Sequence, residues 1–573
     1  MNSPPSEIQI SVLKTIEGEE ELREQWNNLV LQTEAPQVFF TYEWALAVER
    51  AFKSTIQPWI FAFAKHGKLI GVAALACDMS DSKKFFFLGA STGDYCDVIS
   101  TPGDREDVVT ALLREFQKLK IRGAFFASVP EDSITLQALA QSHSAGYWNT
   151  SQPAYTCRRI VFDRKSTNPI GSSVSEHRLN SEKLRRLSKL GKISFEHLQA
   201  TDEIAPVLDP MIKAQIARFL STNRLSPLLR PERRNFLAEL TSLLGPRHWM
   251  DLSVLRLNGR DIAWNFGFRF EEVLFWYLPG FDTALESHRP GGGLLNLLNE
   301  EGEQAANLKE IDLGLGDESY KVHLANAQRK TLNVHLGANF FSHSKTLVRN
   351  EMVKRIKSFP AVEQFARSLL GATSQVIKSS KLSLLQRIFR KIFSSDETIF
   401  FESAGDCRLK NSSYETEALH WNNLAVLALQ NSEDPEMLEY LRQTAPRIRL
   451  AKKKSVHGFV VQGYDSKNAQ YYWVDEIPML ADEHPQPAAM IFDHWAPASI
   501  RGKQLQKAAI ECVAEEIKKQ GKTPWFSVNH AEQNVLHALQ NSSFNPRYAI
   551  IHRKFIFSMP AERKQVHHPQ ARP

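Results

Sequence analysis

The stretch RPGGGLLNLLNEEGEQAANLKEIDLGL, residues 289–315, holds a turn, a helix and a strand in one short run. A proline and three glycines precede the apolar-periodic segment LLNLLNEEGEQAANL, which predicts a helix. The apolar run EIDLGL that follows predicts a short buried strand. A glycine-bearing turn that opens a helix presents free backbone N–H groups, and with the helix dipole these groups suit a pyrophosphate. The stretch therefore predicts an α/β unit with an anion-binding turn.

The residues around this stretch extend the pattern. Residues 249–281 predict a meander of strands, because the NGR and FEEV turns separate apolar runs. The same order of meander, glycine-containing turn, helix and strand returns at residues 455–528, although the residues themselves are not alike. Helices and strands also alternate between residues 20 and 130. The whole pattern predicts an α/β or α+β protein.

Composition gives an ordinary globular chain. Its 573 residues suggest about three or four domains, and 43% of them are hydrophobic and 23% charged. The net charge of +6 is too thinly spread to indicate nucleic acid by itself. The five cysteines form no CxxC pair and are odd in number, which favours a reducing compartment over a disulfide framework.

The expected location is the cytoplasm, because we find neither a signal-peptide pattern nor an apolar run long enough to span a membrane. One segment adds a possible exception. KLSLLQRIFRKIF, residues 381–393, predicts a basic amphipathic helix, which would suit peripheral contact with an anionic membrane. The alternative is a helix that packs against a neighbouring domain.

The domain prediction divides the chain into five segments. A basic linker separates the second lobe from the C-terminal domain, since eleven Lys or Arg and only two acids lie between residues 345 and 391. The predicted segments are a first lobe (1–170), a second lobe (171–343), a basic helical linker (344–398), a C-terminal domain (399–560) and a disordered tail (561–573).

Seven motifs follow one another along the first two lobes. They are VFFTYEWALA, GKLIGVAAL, FLGASTGDYCDV, GRDIAWNFGF, YLPGFD, RPGGGLL and DLGLGDESYK. In this order they resemble bacterial acetyltransferases of the CelD/BcsL type, associated with cellulose and exopolysaccharide synthesis and related to the FemABX transferases. The resemblance covers roughly residues 20–330 and implies that residues 1–343 form two GNAT-like lobes with a cleft between them.

The C-terminal domain (399–560) also resembles the GNAT acyltransferase fold, in which coenzyme A pyrophosphate lies on an Arg/Gln-x-x-Gly-x-Gly/Ala turn. Here Arg501 begins the turn, but Gln504 and Gln506 stand where the small residues belong. Such side chains would crowd the approach of a ligand to the backbone. The segment is therefore expected to be a GNAT-like domain with an altered coenzyme A loop.

These resemblances predict acetyl-coenzyme A, or another acyl-coenzyme A, as co-substrate and no metal. No His pair has the helical spacing of metal ligands with a supporting acid. The candidate residues for binding coenzyme A are Arg289, Gly291, Gly292, Gly293, Arg501, Gly502 and Lys503.

The loop after the strand EIDLGL holds the main catalytic candidates. Acyl transfer from a thioester needs a base that takes a proton from the acceptor, and a carboxylate can serve. Asp317 and Glu318 directly follow the strand, where open sheets commonly place ligands. Asp312 and Tyr320 are the further catalytic candidates, and Lys321 and His323 are candidates for substrate binding. The alternative is a polar turn with a structural Asp–Lys pair.

A second acidic loop, GDYCDV at residues 93–98, corresponds to this one in the first lobe. Asp94, Tyr95 and Asp97 are predicted to bind acceptor hydroxyls, although both acids also suit turn caps. Trp264, on a meander strand, is a candidate for contact with a sugar ring, with burial in the core as the alternative.

The sequence thus predicts a GNAT-type N- or O-acyltransferase acting on a small molecule or a glycan precursor, namely a sugar or an envelope or exopolysaccharide intermediate. One alternative is a FemABX-like transferase that uses aminoacyl-tRNA, the only setting in which nucleic acid is expected as a partner. The basic helix predicted at residues 181–192 could then contact tRNA, or lie solvated. The other alternative is a non-catalytic GNAT-fold scaffold in a polysaccharide synthesis assembly.

Overall fold

The computed structural model describes residues 8–162 and 184–338 and, beyond them, ten shorter segments. Those segments are 395–403, 415–418, 421–445, 457–462, 470–476, 487–496, 504–529, 532–540, 542–553 and 562–565. The described residues fall into two compact units. Residues 8–162, 184–218 and 227–338 form the first, and 219–226 with the segments from 395 onward form the second.

The first unit contains thirteen strands in one sheet, helical residues 184–188 and eight further helices whose bounds are given below. Its strands are β1 (Gln9–Leu13), β2 (Ile56–Lys65), β3 (Lys68–Asp78), β4 (Asp81–Phe87), β5 (Ile99–Ser100), β6 (Gly123–Pro130), β7 (Trp148–Val161), β8 (Ile193–Leu198), β9 (Met250–Leu257), β10 (Arg260–Phe270), β11 (Val273–Phe281), β12 (Glu310–Leu315) and β13 (Ala327–Gly337). Its helices are α1 (Glu20–Val30), α2 (Tyr42–Phe52), α3 (Arg105–Lys118), α4 (Ile134–Ala140), α5 (Thr201–Ser221), α6 (Pro231–Leu244), α7 (Pro290–Gln304) and α8 (Ser319–Leu324).

The strand order along the sheet is β1-β2-β3-β4-β6-β13-β7-β12-β11-β10-β9-β8, with β5 beside β3. Most neighbours are antiparallel, but β4 pairs with β6, and β11 with β12, in parallel. A parallel pair needs a crossover, and α3 and α7 supply the two crossovers. The turn, helix and strand predicted at residues 289–315 are thus confirmed, and so is the α/β class.

Both parallel ladders are short. β11 and β12 pair at only three positions, the last being Phe275 with Asp312, although β11 continues to Phe281. β4 and β6 likewise pair at three positions, ending at Phe86 and Phe125. Beyond Phe275 and Asp312, β11 and β12 both continue without pairing to each other, so these two strands diverge. β4 instead ends at Phe87, one residue after its ladder. The gap in the sheet therefore lies between β11 and β12.

The two halves of this unit exchange a strand. β13 comes last in the described part of the unit, yet it pairs with β6 of the first half on one side and with β7 on the other. β7 in turn pairs with β12 of the second half. The close approach requires a glycine at 123, because a Cβ atom there would lie 2.5 Å from the carbonyl oxygen of Leu336. The predicted lobe boundaries at 170 and 343 fall outside the described residues.

The second unit has a separate sheet in the order β15-β16-β17-β18-β19-β14-β20-β21. Its strands are β14 (Ser395–Ser403), β15 (Glu415–Ala418), β16 (His457–Gln462), β17 (Gln470–Glu476), β18 (Ala488–Trp495), β19 (Thr523–Asn529), β20 (Phe544–Arg553) and β21 (Glu562–Gln565). Its helices are α9 (Trp421–Gln430), α10 (Pro435–Thr444), α11 (Gln504–Lys519) and α12 (Gln533–Gln540).

This second sheet repeats the same unit. β18 and β19 pair in parallel at four positions, with α11 as the crossover. Two differences from the predicted boundaries appear at its ends. β14 begins at residue 395, inside the predicted linker, and residues 562–565 of the predicted tail form β21 beside β20. ERKQ has no apolar pattern, so backbone pairing at a sheet edge, which sequence periodicity does not report, decides this strand.

Apolar faces of the crossover helices form the cores. Val108, Leu112 and Phe116 of α3 pack on the first half of the large sheet. Leu294 and Leu298 of α7 pack on its second half. Among the described residues no helix is long and apolar enough to cross a membrane. The helix predicted at 381–393 lies outside the described residues.

A partly buried ion network fixes α7 to the sheet. His197 on β8 contacts Asp251 of β9 through Nδ1 (2.8 Å) and Glu301 of α7 through Nε2 (2.6 Å). Arg269 on β10 bonds to the same two carboxylates, at 3.2 and 3.1 Å. Burial alone would lower the pKa of His197, but the hydrogen bonds to both acids raise it to about 9. The imidazolium therefore helps to hold α7 in place.

We predict that this network makes stability depend on pH. Because the pKa of His197 rises on folding from 6.5 to about 9, its contribution is complete below 6.5 and disappears as the pH passes about 9. His197→Gln should lower the free energy of unfolding by roughly 1–3 kcal/mol at low pH. Thermal unfolding followed by circular dichroism should show this loss fading at alkaline pH.

The matched control is His66→Gln, in the exposed turn between β2 and β3. It should leave the unfolding midpoint unchanged at every pH. A His197→Gln deficit of constant size across the pH range would contradict the charge-based account.

Candidate functional site

The loop that follows β4 contacts β12 at Gly314. This glycine has a φ of +69°, and a Cβ atom there would lie 2.6 Å from Oδ2 of Asp94 and 3.6 Å from the carbonyl oxygen of Trp276. The missing side chain thus makes room for a carboxyl group from the first half. Asp94 is seated where β11 and β12 diverge.

Asp312 lies beside this point and is buried, with 3% of its surface exposed. Its Oδ2 accepts a hydrogen bond from the Tyr95 hydroxyl at 2.7 Å, and its Oδ1 accepts one from the Gly314 N–H at 2.8 Å. Tyr95 is itself buried, beneath the guanidinium of Arg329, whose carbon lies 5.4 Å from the ring centre. Asp94, Tyr95 and Asp312, three of the predicted site residues, therefore form one cluster.

The two carboxyl groups have raised pKa values. Burial raises the pKa of Asp94 to about 8, with the charge of Asp312 acting in the same direction and Lys321 against it. Burial also raises the pKa of Asp312 to about 6, assisted by Glu310 and opposed by the hydrogen bond from Tyr95. Carboxyl groups poised near neutral pH are suited to general acid–base chemistry.

Lys321 closes the loop over the cluster. Its side chain is 7% exposed, and its Nζ donates to the carbonyl oxygen of Leu315 at 2.6 Å and pairs with Glu318 at 3.1 Å. The buried ammonium draws the start of α8 back onto the end of β12. It also supplies the positive charge that partly offsets Asp94.

The other residues predicted in this loop lie at the surface. Asp317 is 58% exposed and pairs with Arg158 at 2.9 Å. Glu318 is 57% exposed. The Tyr320 hydroxyl accepts from the Trp276 indole N–H at 3.2 Å, and burial raises the pKa of Tyr320 to about 12.

His323, also predicted to bind substrate, is exposed, and its Nδ1 bonds to the carbonyl oxygen of Ser319. The loop after β12 therefore contains an exposed set of polar residues, while the buried acid Asp312 lies in β12 itself. The roles predicted for the exposed set stay predictions, since the geometry gathers the buried acids elsewhere.

The carboxylate of Asp97 accepts its hydrogen bonds from neighbouring residues. It accepts hydrogen bonds from Ser133 (2.6 Å), from Thr135 and from the Val98 N–H (2.8 Å), and it pairs with Arg105 at 3.3 Å. These contacts fix the loop that carries Asp94 and Tyr95, which is a positioning role. They leave little capacity for an acceptor hydroxyl.

Trp264 is 3% exposed and lies in the core side of β10. Its indole N–H has no acceptor among the described residues. A ring so deeply buried offers no face for stacking on a sugar. The core alternative that the sequence left open therefore describes this tryptophan.

The start of α7 suits an anion. Arg289 is exposed, precedes Pro290 with a φ of 52°, and no acid lies in the first helical turn. The N–H groups of Gly292 and Gly293 turn back to the Arg289 carbonyl, at 3.1 and 3.2 Å, while that of Gly291 has no backbone acceptor in the described part of the chain. A free N–H, a helix dipole and a free cation together fit a phosphate group.

The equivalent helix start in the first half, at α3, does not suit an anion. Asp104 precedes α3, and Glu106 and Asp107 lie in its first turn. Three carboxylates would repel a pyrophosphate there. Of the two crossover helices, only α7 has the chemistry of a coenzyme A cradle.

A cleft of about 480 Å³ opens at the start of β11 and β12, and we call it the β11–β12 cleft. It reaches Asp312 at its base. The polar side chains around it include Gln37, Asp132, Arg159, Glu271, Asp312 and Arg329.

Several of these residues were not singled out in the sequence. Arg159 lies directly opposite Asp312 in the β7–β12 ladder and bonds to Glu310 in a bidentate pair. Gln37 precedes a short helical turn far from both strands in the chain. No local motif marks either residue, because their role depends on strand register.

The remaining predicted residues cannot be placed. Arg501, Gly502 and Lys503 lie outside the described residues. In the regions that the structure does describe, no group of three His, Cys, Asp or Glu side chains could hold a metal ion.

We predict that Gly314→Ala is more harmful than an ordinary glycine replacement. The new methyl group would meet the Asp94 carboxylate at 2.6 Å and also strain a positive φ. Gly259→Ala is the matched control, since Gly259 has a φ of +80° with nothing within 4 Å of its Cβ position. Both should lose roughly 1 kcal/mol to backbone strain, and Gly314→Ala should lose more. Equal losses in urea unfolding would show that Asp94 is not seated there.

Comparisons with known proteins bear on the same region. Residues 178–322 match the family model described as an acetyltransferase (GNAT) domain. None of the curated proteins compared matches the chain. With the sheet described above, the family match confirms the predicted α/β fold with a GNAT-like domain in residues 178–322. The finer assignment to the CelD/BcsL type rests on the sequence motifs.

Solved structures that resemble the chain include the C-terminal domain of a putative lysylphosphatidylglycerol synthetase from Agrobacterium fabrum, at 12% identity and a TM-score of 0.39, covering 58% of this chain and 95% of that one. FemX matches at 10% identity and a TM-score of 0.37, covering 54% and 95%. A tandem GNAT protein from the clavulanic acid biosynthesis pathway matches at 12% and 0.33, covering 58% and 99%. By the family model, residues 178–322 of this chain are similar to a GNAT-type acetyltransferase domain.

Proposed function

We propose that the chain is an acyltransferase that uses acetyl-coenzyme A, or another acyl-coenzyme A, and that its reacting centre lies where β11 and β12 diverge. The observation that carries this proposal is the pair of acids at that point, Asp94 and Asp312, both with raised pKa values. They lie within the gap of a strand–helix–strand unit, and this unit falls inside the region that matches the GNAT domain.

Asp94 is the proposed general base. No hydrogen-bond donor or cation in the described residues lies within bonding distance of its carboxyl group, so its lone pairs are available for an acceptor N–H or O–H. Its partial exposure gives an acceptor access. Burial keeps the pKa of Asp94 high, and the charge of Asp312, which is held by Tyr95, acts in the same direction, so the Asp94 carboxylate is a stronger base.

Arg289 and the first turn of α7 would hold the pyrophosphate of coenzyme A, for the reasons of charge and free N–H groups given above. When bound, the thioester supplies the acyl group, and its sulfur leaves with the proton that the acceptor gives up. The chain's own residues position the acceptor and take its proton.

The proposed acceptor is an amine or hydroxyl of a sugar or of an envelope polysaccharide precursor. This part rests on the resemblance of the sequence motifs. For the second unit we propose a supporting role without coenzyme A, because Gln506 is fully buried in the first turn of α11, where the coenzyme A motif needs a small residue.

The first test of the mechanism is the dependence of rate on pH. With Asp94 as base, the rate of thiol release from acetyl-coenzyme A should rise with pH through about 8. Asp94→Asn should lower turnover by roughly 100-fold or more and abolish this rise. Asp312→Asn removes a like charge, so the rise should move to lower pH.

The same assay decides between this pair and the acids of the following loop. If Asp317 or Glu318 is the base, then Asp317→Asn or Glu318→Gln would lose activity while Asp94→Asn kept it. That result would contradict the assignment made here.

A second test measures coenzyme A binding by calorimetry on the full chain. Arg289→Gln should weaken acetyl-coenzyme A binding by roughly fivefold or more, since a cation facing a phosphate is lost. Arg114→Gln, an exposed change on α3, is the control and should bind as the wild type does. Wild-type protein that fails to bind acetyl-coenzyme A would refute the proposed function, and activity sensitive to ribonuclease would favour the tRNA-dependent alternative.

A further inference from the structure

The β11–β12 cleft has an unequal charge balance. Its lining includes five acids but only three bases. The acids are Asp132, Glu271, Glu272, Glu310 and Asp312, and the bases are Arg159, Lys309 and Arg329.

Each base is already paired with an acid of the same lining. The pairs are Arg159 with Glu310, Lys309 with Glu272, and Arg329 with Asp132. No cation of the lining is left to serve the other two acids. A ligand that enters the cleft therefore meets an excess of negative charge.

Glu271 and Asp312 are the two acids left over. Glu271 is exposed in the turn between β10 and β11 and has no ion-pair partner in the described part of the chain. Asp312, at the base, accepts hydrogen bonds from two neutral donors, the Tyr95 hydroxyl and the Gly314 N–H, and among the described residues it has no ion-pair partner. The cleft thus has one exposed carboxylate at its rim and one buried carboxylate without a paired cation at its base.

A third oxygen points to the same kind of ligand. The Gln37 side chain lines the cleft and is 6% exposed, and its Oε1 has no donor among the described residues. A buried acceptor without a partner costs free energy unless a ligand donates to it. An ammonium group carries several N–H donors and a positive charge. No cation of the lining supplies these to the oxygens of Glu271, Asp312 or Gln37.

We propose that the β11–β12 cleft binds the acceptor, and that this acceptor carries an ammonium group separate from the group that is acylated. The ammonium pairs with Glu271, while the group to be acylated lies toward Asp312 and Asp94. Amino sugars and diamino compounds have this chemistry, and a cleft of about 480 Å³ is of the size that holds small ligands. The inference rests on the proposed function for the acceptor role, but the charge selection stands on the cleft alone.

The test uses two matched pairs of probes with the full-length protein. L-lysine and L-norleucine differ by one side-chain ammonium, and D-glucosamine and D-glucose differ by one amine. Binding is measured by ligand-observed NMR at low and high salt. In at least one pair the ammonium member should bind about threefold or more tighter at low salt, and salt should reduce the difference.

Variants assign the preference to the cleft. Glu271→Gln should abolish the preference for the ammonium probe, and because the residue lies in an exposed turn, the variant should fold. Asp107→Asn, which removes an exposed acid on α3, is the control and should keep the preference. Equal binding of charged and neutral probes in both pairs, or a preference that survives Glu271→Gln, would overturn the inference.

Acetyl-coenzyme A binding, measured on the same samples, separates this inference from the proposed function. Protein that binds acetyl-coenzyme A but shows no charge preference contradicts only the inference. Protein that shows the preference but binds no acetyl-coenzyme A contradicts the proposed function and the acceptor role, while charge selection by the cleft remains.

Discussion

The pairing of β13 with both β6 and β7 is the constraint on which the first unit depends. It inserts a late strand into the sheet of the first half and leaves β7 free to pair with β12 of the second half. The two strand–helix–strand units therefore share one sheet. Because β7 brings Cys157 and Arg159 beside β12, the loops that follow β4 and β12 meet there.

Burying two acids at the point where these loops meet costs free energy. The same burial gives them pKa values suited to acid–base chemistry. Burial raises the pKa values of both carboxyl groups, and the charge of Asp312 adds to the shift of Asp94 while the charge of Glu310 adds to that of Asp312. Tyr95, the Gly314 N–H and the buried ammonium of Lys321 offset part of that cost. The space left by Gly314 admits Asp94 in the first place.

The two crossover helices of the first unit, α3 and α7, have different roles. The acids at the start of α3 would repel a phosphate, while the start of α7 has a free cation and no acid. Burial of Asp97 and Arg105 in the first half fixes the loop that supplies Asp94 and Tyr95 to the second. The first half thus positions residues for a site whose anion-binding turn belongs to the second half.

The partly buried network of His197, Asp251 and Glu301 serves the second half in a similar way, since it ties α7 to the sheet. The helix that would hold an anionic ligand is therefore anchored by charges of its own. Glu271 and Asp312 differ from these acids, because neither has an ion-pair partner in the described part of the chain.

Sequence by itself determined the local elements of this protein. The turn, helix and strand at 289–315, the meander before them and the repeat of this order near the C-terminal end follow from apolar periodicity and glycine placement, which act over neighbouring residues. Sequence also marked Asp94, Tyr95 and Asp312 as site residues, although it gave the leading role to Asp317 and Glu318. It could not rank buried against exposed acids, because burial depends on distant parts of the chain.

Tertiary structure alone decided the contacts between distant residues. Tyr95 and Asp312 are 217 positions apart, and their hydrogen bond depends on the exchange of β13, which no local pattern reports. The register that sets Arg159 opposite Asp312, and the cleft that adds Gln37 and Glu271, have the same origin. Strand pairing sets which side chains face each other, and the pKa values follow from that arrangement.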